Sequence, residues 1–285
     1  MPLIKTKYIL AHAMEHKYGL ISVNIFNYET AKWVIQAAER EQIPIMVQLY
    51  PGFDSYIPNG ITCGMLLKMA ERAAVPVAAH MDHSATYEIA VSGIRDGFPS
   101  VMVDGSSLPY EDNVALTAAV AQTARVFNVD VEGELGHVGS GQKVEEYTNP
   151  ELYTDPDQAV DFMERTGCVS LAVAVGNAHG EYIQTPSLDF ERIRILRQKL
   201  SMPLVLHGGS HIPDEQLIES IRLGMTKFNI ATEFFRAVFA AVAVQTVENP
   251  SDNFFGLMKK TEEDAIDFMR GKIRVMNPGK YKLTI

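Results

Sequence analysis

The chain has 285 residues, 47% of them hydrophobic, which is enough to bury the core of one large α/β domain or of two ordinary ones. Its 25 Lys and Arg against 35 Asp and Glu give a net charge of −10, which argues against binding to a nucleic-acid backbone. No apolar run approaches the ~20 residues of a membrane span, and the first residues do not resemble a secretory signal. The two cysteines, Cys63 and Cys168, do not suggest a disulfide framework, so we expect buried thiols in a cytoplasmic protein.

Eight short β-rich segments recur along the chain, with amphipathic segments between them. Most of the eight are continuous apolar runs, which is the pattern expected of strands that are covered on both faces. The predicted strands span residues 20–26, 43–49, 75–79, 100–103, 130–134, 169–175, 203–206 and 226–230.

Several of the intervening segments carry signals for helices. Residues 155–167 begin with a capping Asp and a Pro at the first helical position, and they end at a Gly. Residues 190–200 keep one side apolar, and residues 213–224 run from a Pro-Asp start to a Gly stop. The sequence at 261–264 resembles a capping box, so we predict that a helix begins there.

Eight strand–helix units in 285 residues favour a (β/α)8 TIM barrel, which typically needs ~250 residues. We find no linker or low-complexity segment, so residues 1–285 are predicted to form a single domain. The alternative is an open, doubly wound sheet. It is less favoured because no Gly-x-Gly-x-x-Gly turn follows the first strand.

The segment after the third strand, His80-Met81-Asp82-His83-Ser84, places two imidazoles and a carboxylate within four residues. Side chains alternate along a strand, so Asp82 would point away from the face shared by Met81 and His83 unless the strand has already ended. Ser84 and the periodic sequence after it indicate that the chain turns here. A His and an Asp at the carboxyl end of a strand are well placed to hold a metal and to move a proton.

Polar residues follow the other predicted strands in the same way. In a parallel barrel the carboxyl ends of all the strands open onto one face, so we expect these side chains to share one site. The residues are Asn24, Gln48, Asp82, His83, Asp104, Glu132, Glu134, His179, His207 and Asn229.

Three of these residues are histidines, and three neutral imidazoles with a fourth position left open form the usual catalytic zinc site. His83, His179 and His207 are the best candidates, because small residues beside them leave room for a metal and a substrate. His80 and His137 compete with them. His80 lies inside the strand, and we interpret it as structural.

Two glycine-containing or helix-opening turns are predicted to bind an oxyanion such as phosphate. Residues 206–210 follow the seventh strand, and residues 228–233 follow the eighth and open a long helix. Loops at these two positions form the usual phosphate cradle of such barrels. The predicted donors are the backbone N–H groups of Gly208, Gly209, Ser210, Ala231 and Thr232.

These residues and motifs give the chain a resemblance to the class II (zinc-dependent) ketose-bisphosphate aldolases. The resemblance is strongest to the tagatose-bisphosphate branch, which also contains fructose-bisphosphate and ketose-1-phosphate aldolases, and it runs from about residue 5 to about residue 280. The most specific motifs are HMDHS at 80–84, VDGS at 103–106, EGELGHVG at 132–139, AVAVGNAHGEY at 172–182, PLVLHGGSHIPDE at 203–215 and TKFNIATE at 226–233.

The resemblance implies zinc on the three histidines named above and catalytic proton transfer by Asp82. Asp104, Glu132 and Glu134 would support the ligands or offer a mobile metal alternative positions, and a monovalent cation, Na⁺ or K⁺, is a further family feature near the phosphate. The residues assigned to binding of the substrate, including its dihydroxyacetone-phosphate half, are Asn24, Gly180, Gly208, Gly209, Ser210, Asn229, Ile230, Ala231 and Thr232.

The chain departs from the family pattern at several positions. The family usually carries a Gly-Gly-x-Glu-Asp loop whose acid protonates the enediolate carbon; here Gln142 stands in that place, and Glu145 or Glu146 is predicted to take the role from a reshaped mobile loop. Tyr50 replaces a small hydroxyl residue after the second strand. Lys280, in an altered tail, is assigned to a distal phosphate. These changes suggest the hypothesis that the aldehyde product is not glyceraldehyde 3-phosphate.

The resemblance also bears on partners. It implies a homodimer or homotetramer with a sugar phosphate as its small-molecule substrate, and an accessory subunit is a further candidate partner; we expect no nucleic-acid or membrane partner. A run of apolar residues after the eighth strand is interpreted as one packed helix face or a subunit interface, not as a ligand-binding wall. Its members are Phe234, Phe235, Val238 and Phe239.

The leading prediction is a zinc aldolase that cleaves a ketose 1,6-bisphosphate or ketose 1-phosphate to dihydroxyacetone phosphate and an aldehyde. No lysine is needed as a Schiff base, because the metal supplies the electron sink. A barrel metallohydrolase and a silent accessory subunit of an aldolase complex remain as alternatives. The intact Asp82 and the three candidate ligands argue against a silent subunit.

Overall fold

The computed structural model describes residues 2–283, and in it eight parallel strands close into a barrel with each strand beside its neighbour in the chain. The strands are β1 (Leu20–Ile25), β2 (Ile45–Leu49), β3 (Val77–Ser84), β4 (Ser100–Val103), β5 (Asp130–Leu135), β6 (Ser170–Val173), β7 (Leu204–Leu206) and β8 (Met225–Ile230). The α-helices are α1 (Thr6–His16), α2 (Tyr28–Glu41), α3 (Asn59–Arg72), α4 (Tyr87–Asp96), α5 (Tyr110–Val126), α6 (Val144–Thr148), α7 (Pro156–Thr166), α8 (Phe190–Lys199), α9 (Asp214–Leu223), α10 (Thr232–Glu248) and α11 (Phe254–Met276). The predicted (β/α)8 barrel is confirmed. Within residues 2–283, no helix has both the length and the apolar character that crossing a bilayer requires.

The main core lies between the outer face of the barrel and the helices around it. Trp33 of α2, Phe162 of α7, Phe228 of β8 and Phe98, which precedes β4, are all buried there. Burial of a large apolar side chain contributes about 1.5–3 kcal/mol, so this layer is the main source of the barrel's stability. It also explains why the strands are continuous apolar runs: their outward side chains meet helices, not water.

The inside of the barrel changes from apolar to polar along its axis. At the amino end, α1 packs against the first residues of the strands and closes the barrel. The apolar interior consists of Ile9, Leu10, Ala13, Tyr18, Leu20, Met46 and Ala78 in one cluster, and of Met102, Ala172 and Val205 in another. Nearer the carboxyl ends of the strands the inward side chains are polar, and that end therefore carries the candidate site.

The helix signals are confirmed in three places and wrong in one. The segments 155–167, 190–200 and 213–224 correspond to α7, α8 and α9. The last helix, α11, begins earlier than predicted, because Asn253 caps it by accepting from the N–H of Gly256. Thr261 is buried inside α11 and donates to the Leu257 carbonyl, so it is not a capping residue.

Candidate active site

A β-bulge in β3 brings Asp82 and His83 to the same site. The strand continues to Ser84, whereas the sequence predicted its end at residue 79. Met81 pairs with Val101 and Ser84 with Val103, so β3 carries one more residue than β4 over this stretch. His83 has φ of +46°, in the left-handed region. Strict alternation would send the two side chains to opposite faces, and the extra residue turns both toward the mouth of the barrel.

The three predicted histidines meet at this mouth. The ring of His83 lies 4.8 Å from that of His179 and 4.6 Å from that of His207, centroid to centroid. One nitrogen from each ring can be chosen so that all three lie within 4.8 Å of one another. The structure therefore brings together side chains that are 124 residues apart in the chain.

Two of these imidazoles are held in place by carboxylates. His83 Nδ1 donates to Asp104 Oδ2 at 2.9 Å, and His207 Nε2 donates to Glu132 Oε1 at 3.0 Å. A carboxylate on the outer ring nitrogen fixes the tautomer and the orientation of a metal-ligating histidine. The inner nitrogen of each ring is left as a lone-pair donor.

The inner atoms of the cluster fit a bound cation. His83 Nε2 and His207 Nδ1 face each other at 2.9 Å, and two lone pairs at that distance repel unless a positive centre lies between or beside them. His179 Nε2 and Glu134 Oε2 are buried without a hydrogen-bond partner among residues 2–283. Buried acceptors of this kind are rare in proteins. Imidazole nitrogen with carboxylate oxygen is a donor set suited to zinc and to other divalent transition metals.

A second group of possible metal ligands shares His83 with the first. It consists of His83, Asp104 and Glu134, whose ligand atoms also lie within 4.8 Å of one another. Burial, together with the negative charge of Asp104, raises the pKa of Glu134 to about 8. A cation placed near these oxygens would reverse that effect. His83 belongs to both groups, so a metal moving between them would keep one ligand.

Asp82 is buried and surrounded by amide donors. Its carboxylate accepts from Asn24 Nδ2 at 3.0 Å, from Gln48 Nε2 at 2.9 Å and from Asn229 Nδ2 at 3.2 Å. Burial acts to raise the pKa of Asp82, but positive charge nearby, foremost on the His83 ring when it is protonated, outweighs burial and lowers the pKa. A metal cation held by the neutral ring would act in the same direction. The result is an ionised carboxylate, fixed in position, beside the histidine cluster.

A buried ion pair lies beneath this cluster. Lys227 of β8 is fully buried, and its Nζ donates to Glu132 at 2.9 and 2.8 Å, while Ser170 Oγ donates to the same carboxylate at 3.0 Å. Burial acts to raise the pKa of Glu132, but Lys227 and His207 hold it well below the usual range. Sequence reasoning did not single out Lys227. The available signal was a lysine inside an otherwise buried strand.

The predicted phosphate cradle lines one side of a cavity of about 550 Å³, together with the metal cluster and Asp82. A Cβ on Gly208, whose φ is +60°, would come within 1.9 Å of the Ala178 carbonyl oxygen, so this turn requires glycine. Thr232 begins α10, and the N-terminus of a helix attracts an anion. The predicted residues that line the cavity are Asn24, Gly180, Gly208, Ser210, Asn229, Ala231 and Thr232.

Some cradle predictions need correction. Gly209 does not line the cavity, because its N–H donates to the Asn229 carbonyl at 3.0 Å. Ile230 points into the core between barrel and helices. The N–H of Ala231 donates to Ser210 Oγ at 3.2 Å, so in this structure the serine hydroxyl occupies that donor.

The structure does not bring the two predicted loop acids to the cavity. Glu145 is exposed on α6, and Glu146 accepts from Ser140 N at 2.8 Å and from Lys143 Nζ at 2.7 Å. These hydrogen bonds, led by that of Lys143, lower the pKa of Glu146 to about 2. Glu146 is therefore an ionised group that holds its own loop together, and Gln142 is tied to the Glu181 carbonyl at 2.8 Å.

Lys280 is placed at the wrong end of the barrel for its predicted role. Its Nζ is exposed and lies 4.0 Å from Glu41 Oε2, at the last residue of α2. Helix α11 delivers the tail to that end, because the Gly19 N–H, just before β1, bonds the Met276 carbonyl at 2.8 Å. Within this chain, Lys280 does not meet a substrate in the cavity.

An aromatic wall, defined here as Tyr50, Phe53 and Phe235, forms another side of the cavity. The ring of Phe53 lies 5.5 Å from that of Tyr50 and 6.4 Å from that of Phe235, centroid to centroid. Phe235 packs against the core as predicted, but it also lines the cavity, so the prediction that this run does not contribute to a ligand-binding wall is wrong at this residue. Phe234, beside it, is buried in the core, and Phe239 is 67% exposed.

Comparison with known proteins gives one family for this fold and site. Residues 4–279 match the family model for class II fructose-bisphosphate aldolase. An uncharacterised protein of Escherichia coli strain K12, YdjI, is 38% identical over 263 residues, covering 92% of this chain and 93% of YdjI. The crystal structure of the YdjI aldolase superposes with a TM-score of 0.86 at 35% identity, covering 96% of this chain and 97% of that one. A fructose-bisphosphate aldolase from Campylobacter jejuni shares the fold, with a TM-score of 0.81 at 21% identity over 96% and 95% of the two chains.

The chain belongs to the class II fructose-bisphosphate aldolase family. It is therefore a lyase of the aldolase type, and members of this class are metal-dependent. The family membership also agrees with the donor set described above, in which His179 Nε2 and Glu134 Oε2 have no hydrogen-bond partner among residues 2–283.

Proposed function

We propose that this protein is a zinc-dependent aldolase that reversibly cleaves a ketose 1-phosphate, with or without a second phosphate, to dihydroxyacetone phosphate and an aldehyde. The observation that carries the proposal is the ionised Asp82, fixed by three amides beside a three-histidine cluster at the edge of a backbone cradle. The bound sugar phosphate would meet an anion site, a metal site and a proton acceptor in one cavity.

His83, His179 and His207 would hold the metal, with Asp104 and Glu134 as an alternative set around His83. When bound, a divalent ion supplies Lewis-acid stabilisation of the negative charge that develops on the ketose oxygens. Asp104 and Glu132 orient two of the imidazoles. The choice of zinc follows from the imidazole-rich donor set and from the family.

Asp82 acts as the general base in the cleavage direction. Its carboxylate accepts the proton of the substrate hydroxyl as the carbon–carbon bond breaks and then releases it to solvent, while the enediolate carbon of the dihydroxyacetone-phosphate half takes up one proton from solvent. Both proton transfers reverse in the condensation direction. The amides of Asn24, Gln48 and Asn229 keep the carboxylate in place and ionised. The phosphate binds at Gly208, Ser210 and the first turn of α10, where backbone donors and the helix N-terminus favour an anion.

Schiff-base chemistry is not supported by the lysines. Among residues 2–283, no lysine lines the cavity, and the buried Lys227 is engaged with both oxygens of Glu132. A monovalent cation near the phosphate, a homodimer or homotetramer, and a cytoplasmic location remain parts of the proposal that follow from the family resemblance and the composition.

The test combines a retro-aldol assay on ketose 1-phosphates with metal analysis of three variants. Asp82→Asn should keep its metal and lose cleavage by about 10²–10⁴-fold, because it removes only the general base. His207→Ala should lose both metal and cleavage. His16→Ala, at the closed end of the barrel, is the matched control and should change neither.

The two alternative functions, a metallohydrolase and a silent accessory subunit, predict different results in these assays. A metallohydrolase would release phosphate or split an ester or amide without breaking a carbon–carbon bond. A silent accessory subunit would bind metal and cleave nothing. Unchanged metal content and cleavage in His207→Ala would refute the proposed site.

A further inference from the structure

The aromatic wall is the part of the cavity that the proposed chemistry does not use. Tyr50 and Phe53 come from the segment after β2, and Phe235 comes from the first turn of α10. One further ring, that of Phe26, packs against both Phe53 and Phe235, at centroid distances of 6.3 Å and 5.1 Å. The wall is thus a packed surface and not a set of isolated side chains.

Tyr50 is fixed at the edge of this wall nearest the metal cluster. Its ring lies 6.5 Å from that of His83 and nearly perpendicular to it. A Cβ on Gly52 would come within 2.3 Å of Tyr50 Cε1, so the ring lies against a position that only glycine leaves open. A substrate that reaches from the cradle past the metal cluster meets this ring next.

Within residues 2–283, this chain supplies the cavity lining with no cation for a second phosphate. Among residues 2–283, none of the lining residues is a lysine or an arginine. Arg236 follows Phe235 in α10, but it forms an ion pair with Glu181 and does not line the cavity. The lining carboxylates, Asp82 and Asp104, add negative charge on the metal side.

A second phosphate at this wall would lose water without gaining a cationic partner from the described residues of this chain. Burying a charged group is unfavourable unless it is paired and hydrogen-bonded, and like charges nearby make it more unfavourable. Aromatic faces instead favour the C–H faces of a carbon chain through apolar contact. The same wall therefore accepts an uncharged chain and rejects a dianion.

We propose that the substrate is a ketose 1-phosphate whose distal carbons carry no phosphate, and that Tyr50, Phe53 and Phe235 determine this specificity. The inference rests on the proposed function, because it assumes that the aldehyde half lies against the wall. Tyr50 and its neighbours are specificity residues and take no part in the proton transfer.

The test measures condensation of dihydroxyacetone phosphate with racemic glyceraldehyde and with racemic glyceraldehyde 3-phosphate. The native enzyme should show a kcat/KM for glyceraldehyde at least tenfold above that for its phosphate. Hydrogen exchange at C3 of dihydroxyacetone phosphate in D₂O, followed by NMR without any aldehyde, reports the proposed function separately. If exchange occurs and glyceraldehyde 3-phosphate is the preferred aldehyde, only the proposed specificity is overturned. If neither exchange nor condensation occurs, both the specificity and the proposed function are overturned.

Two variants test whether the aromatic wall causes the preference for the unphosphorylated aldehyde. Tyr50→Arg places a cation beside the cavity and should lower the ratio of the two kcat/KM values at least tenfold, by improving use of the phosphorylated aldehyde. Tyr56→Arg adds the same charge to the same segment, where the side chain is 71% exposed and outside the cavity lining, so the ratio should stay unchanged. An equal effect of both variants, or none from Tyr50→Arg, would contradict a specific role for the wall.

Discussion

Lys227 and Glu132 show how a single buried charge pair can act on the active site without touching the cavity. Lys227 Nζ donates to both oxygens of Glu132, and Glu132 accepts from His207 Nε2. The lysine keeps the carboxylate ionised, and the carboxylate keeps the ring of His207 turned with Nδ1 toward the metal cluster. Lys227 is therefore a positioning residue in this account.

Replacing Lys227 by methionine removes the charge and keeps most of the volume. Breaking a buried pair by removing one partner typically costs 3–5 kcal/mol, so the free energy of unfolding should fall by about that amount. Metal affinity should fall by about 10–100-fold, because the orientation of His207 is lost. Chemical denaturation and competition with a metal-binding dye measure the two effects.

The double variant Lys227→Met, Glu132→Gln is the matched control for this prediction. It removes both charges, so it should recover part of the stability that the single variant loses while metal affinity remains weak. Wild-type metal affinity in the single variant would contradict the positioning role.

At the scale of elements, the site depends on a local irregularity in β3 and on a tight turn after β7. The bulge in β3 presents Asp82 and His83 together, and the turn after β7 needs Gly208 to pass the Ala178 carbonyl. At the opposite end of the barrel, Glu41 of α2 links α2 to α11. Its side chain is buried and accepts hydrogen bonds from Arg270 and Arg274 of α11 at 2.7 Å each.

The ion cluster between α2 and α11 gives a pH-dependent contribution to stability. The hydrogen bond from Arg274, with that from Arg270, outweighs burial and lowers the pKa of Glu41 from the usual 4.5. A carboxyl whose pKa is lower in the folded state stabilises the fold fully above its unfolded pKa, and the effect is lost as pH falls through the folded pKa. Glu41→Gln should therefore lower the free energy of unfolding by about 1–3 kcal/mol at pH 7.

The same variant should approach the wild type in stability as the pH falls below 4. Denaturant unfolding of both proteins between pH 3 and pH 7 measures the difference. Glu15→Gln, an exposed substitution on α1, is the control and should leave stability within about 0.5 kcal/mol. A difference at Glu41 that grows toward acid would contradict the assigned direction.

For the whole molecule, the barrel was predictable because its strands are short apolar runs that end in polar residues. That pattern follows from two general facts: the outer faces of the strands are covered by helices, and their carboxyl ends share one rim. His83, His179 and His207 were predictable for the same reason, since each follows a strand, and the structure brings them together.

Other features depend on distances that the sequence does not contain. The sequence predicted that β3 ends before Asp82 and His83 and that a turn brings both to the site; β3 instead continues to Ser84, and an inserted residue has that effect. Phe235 was predicted only to pack, because helical spacing does not show that a residue packed against the core also lines a cavity. Lys280 was assigned by its order in the chain, and α11 carries it to the closed end.

The dependence of cleavage on the metal cluster is tested by titrating chelator-treated enzyme with Zn²⁺ while the retro-aldol rate and the metal content per chain are measured. The stripped enzyme should be inactive, and the rate should return as about one equivalent of zinc binds per chain. Full cleavage activity in enzyme that holds less than about a tenth of an equivalent of any divalent metal would contradict metal-dependent cleavage.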